Sequence, residues 1–160
     1  MGSRSKIDLA YIAGFLDGDG SLMLQLKSRA KDNLPHRLMF TICFYQDSRH
    51  ERPLFWIRSK LGIGYVSKRN DGITELRING YTQTRDILKS LLPYIKFKKV
   101  QAAAMYKASS MMCEKKFLRK LDLAEKRRLV DFVLKIQGDN YVTKRKKTKQ
   151  ELYKILGLTP

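Results

Sequence analysis

Apolar residues recur along this chain with two different periods, and the switches between them mark its elements. Around residues 10–17 the spacing is helical: Ala10, Ala13, Gly14 and Asp17 share one face, with Tyr11, Ile12, Phe15 and Leu16 around it. Over 21–29 the period drops to two, with Leu22, Leu24 and Leu26 on one side and Met23, Gln25, Lys27 and Arg29 on the other, as in a half-buried strand. A turn-rich stretch, 30–36, leads to a second alternating run over 37–45. Leu38, Phe40, Ile42 and Phe44 point inward there, and Arg37, Met39, Thr41 and Cys43 outward. Residues 53–61 predict a short helix that opens on Pro53 and closes at Gly62 and Gly64.

A second hairpin pairs 65–69 with 74–79 across Asn70-Asp71-Gly72. Leu76 and Ile78 face the core, while Glu75, Arg77 and Asn79 face out opposite a Tyr65, Ser67 and Arg69 row. Helical spacing returns over 82–92, 97–112, 115–136 and 149–156, the first stopped by Pro93 and the third by Gly138. The expected fold is α+β: helix, hairpin, helix, hairpin, then helices behind a four-stranded antiparallel sheet. It forms one domain over 1–160, with a core at about 7–137 and a basic tail and short helix at 138–160.

Charge narrows the function. Thirty-three Lys and Arg against fifteen Asp and Glu leave a formal +18, and such a surface binds polyanions by releasing their counterions. Double-stranded DNA is the expected partner. No apolar run approaches the length of a spanning helix and no amphipathic segment stands apart, so a membrane is not expected. Cys43 and Cys113 have no metal-ligand spacing and read as free thiols of a reducing, intracellular compartment. The first residues lack an apolar signal core, so secretion is not expected.

The outward face of the strands suits a DNA major groove, which admits β-structure. Gln25, Lys27, Arg29, Arg37, Thr41, Tyr65, Ser67, Arg69, Glu75 and Arg77 are its candidate contacts; arginine presents a fork to guanine, and Gln25 can pair with adenine. A nine-residue strand spans roughly 30 Å, nearly one turn of DNA, enough for one subunit to cover a half-site. The run from Lys144 and Arg145 through Lys147 supplies sequence-independent affinity. A merely solvated sheet face alternates in the same way, but carries no such row of forked and amide side chains.

Chemistry concentrates at Asp17-Gly18-Asp19-Gly20. A helix C-terminus carries partial negative charge and attracts Lys or Arg, yet this one ends on two carboxylates, which is costly unless a divalent cation neutralises them. Asp-Gly-Asp-Gly by itself is also a common turn. A calcium loop with Asp17, Asp19 and Ser21 at alternate positions fails, because Leu22 holds its glycine position and Ser28 its closing glutamate position.

The stretch IAGFLDGDG, residues 12–20, resembles the motif of the LAGLIDADG homing endonucleases, and the resemblance extends over about the first 110 residues. One copy of the motif is present. The resemblance implies a homodimer packed through Ala10, Ala13, Gly14 and Asp17, with metal where the two motif helices meet. Asp19 and the Gly18 carbonyl would be ligands, Mg²⁺ the cofactor and Mn²⁺ its substitute, with no small-molecule cofactor. It further implies that Gln46 orders water around the nucleophile and that Lys98 sets positive charge near the scissile phosphate. The family often places a second basic residue where Arg49, His50 and Arg52 stand here, and the choice among them stays open. An organelle, chloroplast or mitochondrion, is the compartment that fits.

The expected function is thus metal-dependent, site-specific double-strand cleavage of DNA at a long pseudo-palindromic target, serving intron homing. An RNA maturase or a non-cleaving DNA-binding regulator on the same fold is the alternative. Asp19, Gln46 and Lys98 argue against it, since a binding-only protein has no use for a costly acidic pair.

Overall fold

The computed structural model describes residues 4–27, 36–140 and 144–160. Helix α1 spans Lys6–Asp19 and begins in a capping box: the Ser5 hydroxyl accepts the Asp8 N–H, and the Asp8 carboxylate accepts the Ser5 N–H. It passes straight into β1 (Gly20–Lys27). Only glycine fits that junction, because a Cβ on Gly20 would lie 2.8 Å from backbone atoms of Leu16. Strand β2 (Arg37–Asp47) pairs antiparallel with β1, Gly20 opposite Phe44 and Lys27 opposite Arg37. Helix α2 (Arg52–Leu61) carries Pro53 in its first turn and ends at Gly62, whose φ of 70° turns the chain into the second hairpin.

That hairpin is β3 (Tyr65–Lys68) and β4 (Ile73–Asn79), and β4 lies against β2 to give a sheet of order β1-β2-β4-β3, antiparallel throughout. Helices α3 (Tyr81–Leu91), α4 (Lys99–Lys115), α5 (Leu123–Asp139) and α6 (Lys149–Leu156) follow. The inward rows Leu22, Leu24, Leu26, Phe40, Ile42, Phe44, Leu76 and Ile78 are buried in one core with Ile12 and Leu16 of α1, Met105 of α4 and Leu129 and Val133 of α5. Each such side chain contributes roughly 1.5–3 kcal/mol through burial. The core therefore fixes where α1 ends relative to the sheet.

Three expectations change. The single helix over 115–136 is two pieces: α4 runs on to Lys115, the chain reverses at Lys116 with φ 64°, and α5 starts only at Leu123. The cause is a capping box in which Asp122 accepts the Glu125 N–H and Glu125 accepts the Asp122 N–H, a stronger start signal than the apolar spacing upstream. Helix α4 begins at Lys99 and not at 97, and the N–H groups of residues 96–98 just ahead of it are taken by Asp17. Strand β2 continues to Asp47 and so includes Gln46. Arg29 and the turn over 30–35 lie outside the described residues. Among the described residues, no helix is long and apolar enough to cross a membrane.

Candidate active site and nucleic-acid interface

At the end of α1 the two carboxylates meet different fates. Asp17 Oδ2 accepts the N–H of Lys96 at 2.7 Å and of Phe97 at 3.0 Å, and Oδ1 accepts that of Lys98 at 2.9 Å. Burial opposes its charge, but these three donors hold the carboxyl below its ordinary range. The Lys98 ammonium donates back to the Asp17 carbonyl. Burial pulls the Lys98 pKa down against the nearby charges of Asp17 and Asp19. The chain itself thus satisfies one carboxylate of the acidic pair and leaves Asp19 open.

Asp19 is exposed and has no hydrogen bond or ion pair with any described residue. With Gly18 and Lys98 it lines a cleft of about 560 Å³ whose walls also include Ser21, Gln25, Tyr45 and Arg69 from the sheet front and Asp139 and Asn140 from the end of α5. Asp139 and Asn140 were not anticipated at this corner, because Gly138 reads only as a helix stop and nothing in the spacing says what lies beside it. Among the described residues, no group of three or more His, Cys, Asp or Glu gathers to hold a metal. An open carboxylate beside a main-chain carbonyl is nonetheless a set of oxygen donors suited to Mg²⁺ or Ca²⁺, which complete their shells with water, phosphate or a second subunit's carboxylate.

Gln46 does not line this cleft. The register that sets Gly20 opposite Phe44 puts it beyond the end of β1, on the core side of β2, and its Oε1 accepts the Asp47 N–H at 2.9 Å. Of the three basic candidates that follow, Arg49 is engaged: Asp47 accepts its backbone N–H at 2.9 Å and its guanidinium at 3.0 and 2.7 Å. That guanidinium holds the Asp47 carboxyl well below the carboxylate range. His50 and Arg52 are exposed.

Across the sheet front the register aligns Ser21, Cys43, Arg77 and Tyr65 in one row, and Tyr45, Glu75 and Ser67 in the next. The centre of this face is closed, which corrects three outward positions, Thr41, Cys43 and Glu75. Thr41 is 2% exposed, with its hydroxyl donated to Asn79 at 2.8 Å, and Cys43 is fully buried. Burial pushes the Cys43 thiol up to about 11 and the Tyr45 phenol to about 12. Glu75, 8% exposed, pairs with Arg77 at 3.0 Å, and the buried Arg77 Nε lacks a partner. The rim is open: Gln25, Lys27, Arg37, Tyr65 and Arg69 are exposed and Ser67 is half-buried, with Arg69 held by Asp71 at 2.6 Å. Lys144 and Arg145 are exposed.

The small face of α1 also needs correction. Ala13 is fully buried in the chain's own core, and Asp17 is occupied by residues 96–98. The exposed stripe is Ile7, Ala10, Tyr11, Gly14 and Gly18, with Ile7 at 82% exposure. Tyr11 packs edge-on against Trp56 of α2, 5.2 Å between centroids. A Cβ on Gly14 would meet nothing within 4 Å, so packing within the chain does not require glycine there.

Residues 12–109 match a family model described as LAGLIDADG endonuclease. Among curated proteins, the chain is 35% identical over 99 residues to the DNA endonuclease I-CvuI of Chlorella vulgaris, covering 62% of each. It is 30% identical over 103 residues to the DNA endonuclease I-CreI of Chlamydomonas reinhardtii, covering 64% of this chain and 63% of that one. The match thus spans less than two thirds of either relative's length. Among solved structures, the homing endonuclease I-CvuI in complex with its target superposes with a TM-score of 0.80 at 26% identity, over 97% of this chain and 98% of that chain. The archaeal intron-encoded I-Vdi141I complexed with DNA, at a TM-score of 0.75 and 18% identity over 94% and 95%, shares the fold. I-CvuI complexes with DNA were determined in the presence of calcium and of magnesium. That overturns the expectation of no small-molecule cofactor, since a divalent cation accompanies DNA in these relatives.

Proposed function

The chain belongs to the LAGLIDADG endonuclease family, and from that premise we propose that it is a site-specific, homing-type double-strand DNA endonuclease working as a homodimer with divalent metal at the subunit interface. The observation that carries this reading is the open Asp19 carboxylate, set beside Lys98 in a cleft that runs onto the basic sheet front. Asp19 and the Gly18 carbonyl hold Mg²⁺, or Mn²⁺ in its place. When bound, the metal supplies the positive charge that activates water and stabilises the departing oxygen. Lys98, held in place by Asp17, adds charge next to the phosphate where the transition state is most anionic. Gln46 orders water from the flank of this corner, which requires its amide to release the Asp47 N–H.

The exposed rim, Gln25, Lys27, Arg37, Tyr65, Ser67 and Arg69, meets the major groove, with Arg77 behind it. Residues 1–160 act as one domain. The two free cysteines suit a reducing compartment, and an organelle remains the proposed setting.

Selection of cleaved sites from a randomised DNA library with Mg²⁺ tests the activity. One long pseudo-palindromic site is expected; cleavage without sequence preference, or none at all, overturns the reading. For the homodimer, Gly14→Leu fills the stripe where two helices approach. Analytical ultracentrifugation should show dimeric wild type and a monomeric variant, and a wild type that stays monomeric both free and on DNA rules the dimer out.

A further inference from the structure

The basic run after residue 143 is held to the end of α5, where the Lys146 ammonium donates to the Gly138 carbonyl at 3.4 Å. Gln137, in the last turn of α5, grips the main chain of Lys147 on both sides: its Nε2 donates to the Lys147 carbonyl at 2.8 Å, and its Oε1 accepts the Lys147 N–H at 3.3 Å. Three residues on, Asn140 Nδ2 donates to the Leu22 carbonyl at 3.0 Å. Leu22 belongs to β1, which lies at one edge of the sheet and has an open outer side. Asn140 therefore latches the end of α5 to that edge, and Gln137 fixes the basic run to the end of α5.

The result is a second cleft, about 400 Å³, in which Arg145 and Lys147 face Gln25 and Lys27 of β1. Gln25 and Asn140 also line the cleft that contains Asp19, so the two clefts adjoin. Lys27 is eight residues from Asp19 along β1, roughly 27 Å in extended chain, so this cleft runs from the Asn140 latch at Leu22, beside the metal corner, toward the far end of the reading surface.

We propose that Gln137 and Asn140 are positioning residues for sequence recognition, docking the basic run against β1 so that Arg145 and Lys147 fix the phosphates of the base pairs that Gln25 and Lys27 read. This rests on the endonuclease reading above. A flexible cationic run binds any phosphate equally and only adds affinity, whereas one pinned through its main chain sets the register of the backbone, and with it which base lies under Gln25. Gln137 and Asn140 touch no DNA in this scheme; they act through Lys147 and β1.

The test is selection of bound duplexes from a randomised library in Ca²⁺, so that binding is read without turnover, comparing wild type with Gln137→Leu, Gln137→Glu and Asn140→Ala. Melting curves confirm the fold, and hydrogen exchange at the Lys147 amide reports the grip itself. Gln137→Leu is expected to lose Lys147 amide protection and about tenfold of base discrimination at the outer positions of each half-site, with inner positions unchanged. Its salt dependence stays close to wild type, because no charge has been removed. Gln137→Glu, which keeps the acceptor and loses the donor, falls between. Asn140→Ala, which leaves Gln137 intact, shows the same outer relaxation.

Uniform weakening at every position, or unchanged preferences in Gln137→Leu and Asn140→Ala, overturns the proposal while leaving the endonuclease reading intact. A wild type that selects no sequence overturns both.

Discussion

At the corner where α1 ends, side chains are held by main chain: Asp17 takes three backbone N–H groups from residues 96–98, and Lys98 returns its ammonium to the Asp17 carbonyl. Across the sheet front, side chains are held by other side chains, Glu75 by Arg77, Arg69 by Asp71, Thr41 by Asn79, and Ser21 by Tyr45. A main-chain partner cannot move without moving the fold, so Asp17 and Lys98 keep their relation whatever binds. A side-chain partner can be exchanged for a base edge, and an exposed ion pair such as Arg69 with Asp71 gives up only about 0–1 kcal/mol in the exchange. Cleavage demands fixed distances and recognition demands replaceable partners; under the proposed function, the two are separated along one sheet.

The contrast is sharpest in Asp19→Asn. Removing this unpaired carboxylate is expected to abolish cleavage while DNA affinity holds or improves, since a charge that repels phosphate is lost too. Single-turnover cleavage and equilibrium binding on the same duplex decide it. Retained cutting in metal-replete buffer by the folded variant removes Asp19 from the ligand set. Asp17→Ala attacks the frame and not the ligand. Three N–H groups lose their acceptor, which is expected to cost about 1–3 kcal/mol in denaturant unfolding. Cleavage should fall roughly a hundredfold as Lys98 shifts, without change in base preference. If preferences move as well, the corner and the reading face are not separable.

On the other side of the comparison, Arg77→Ala is expected to relax one or two positions per half-site by about 1–3 kcal/mol each, with cleavage of the best remaining site near wild type. Arg69→Ala should do the same, because its exposed bond to Asp71 is readily exchanged for a base edge. A target profile that keeps its shape in both variants moves recognition off the sheet. The smallest test concerns the closed centre of the front. The Cys43 thiol, buried and pushed up to about 11, stays protonated well above neutral pH, whereas Cys113 is partly accessible. Thiol titration at pH 8 should count one reactive group in the native protein and two once it unfolds, and rapid labelling of Cys43 means that the centre opens.

What the sequence determined is local. Period-two runs placed β1 and β2 and their buried leucines and phenylalanines, Asn70-Asp71-Gly72 placed the turn between β3 and β4, and Gly62 placed the end of α2. The capping box at Asp122 was equally local, and shows that a start signal outranks apolar spacing when the two compete. The Asp17-Gly18-Asp19-Gly20 run singled out its corner for a related reason: a carboxylate at a helix C-terminus is anomalous whatever surrounds it.

Which of the two carboxylates is free was decided only by tertiary structure, because the donors that satisfy Asp17 lie 79 to 81 residues away. The same holds for the burial of Ala13, Thr41 and Cys43, and for the docking of the basic run on β1 through Gln137 and Asn140. Periodicity says which residues share a face. What covers that face is set by elements distant in the chain, and no local pattern encodes their approach.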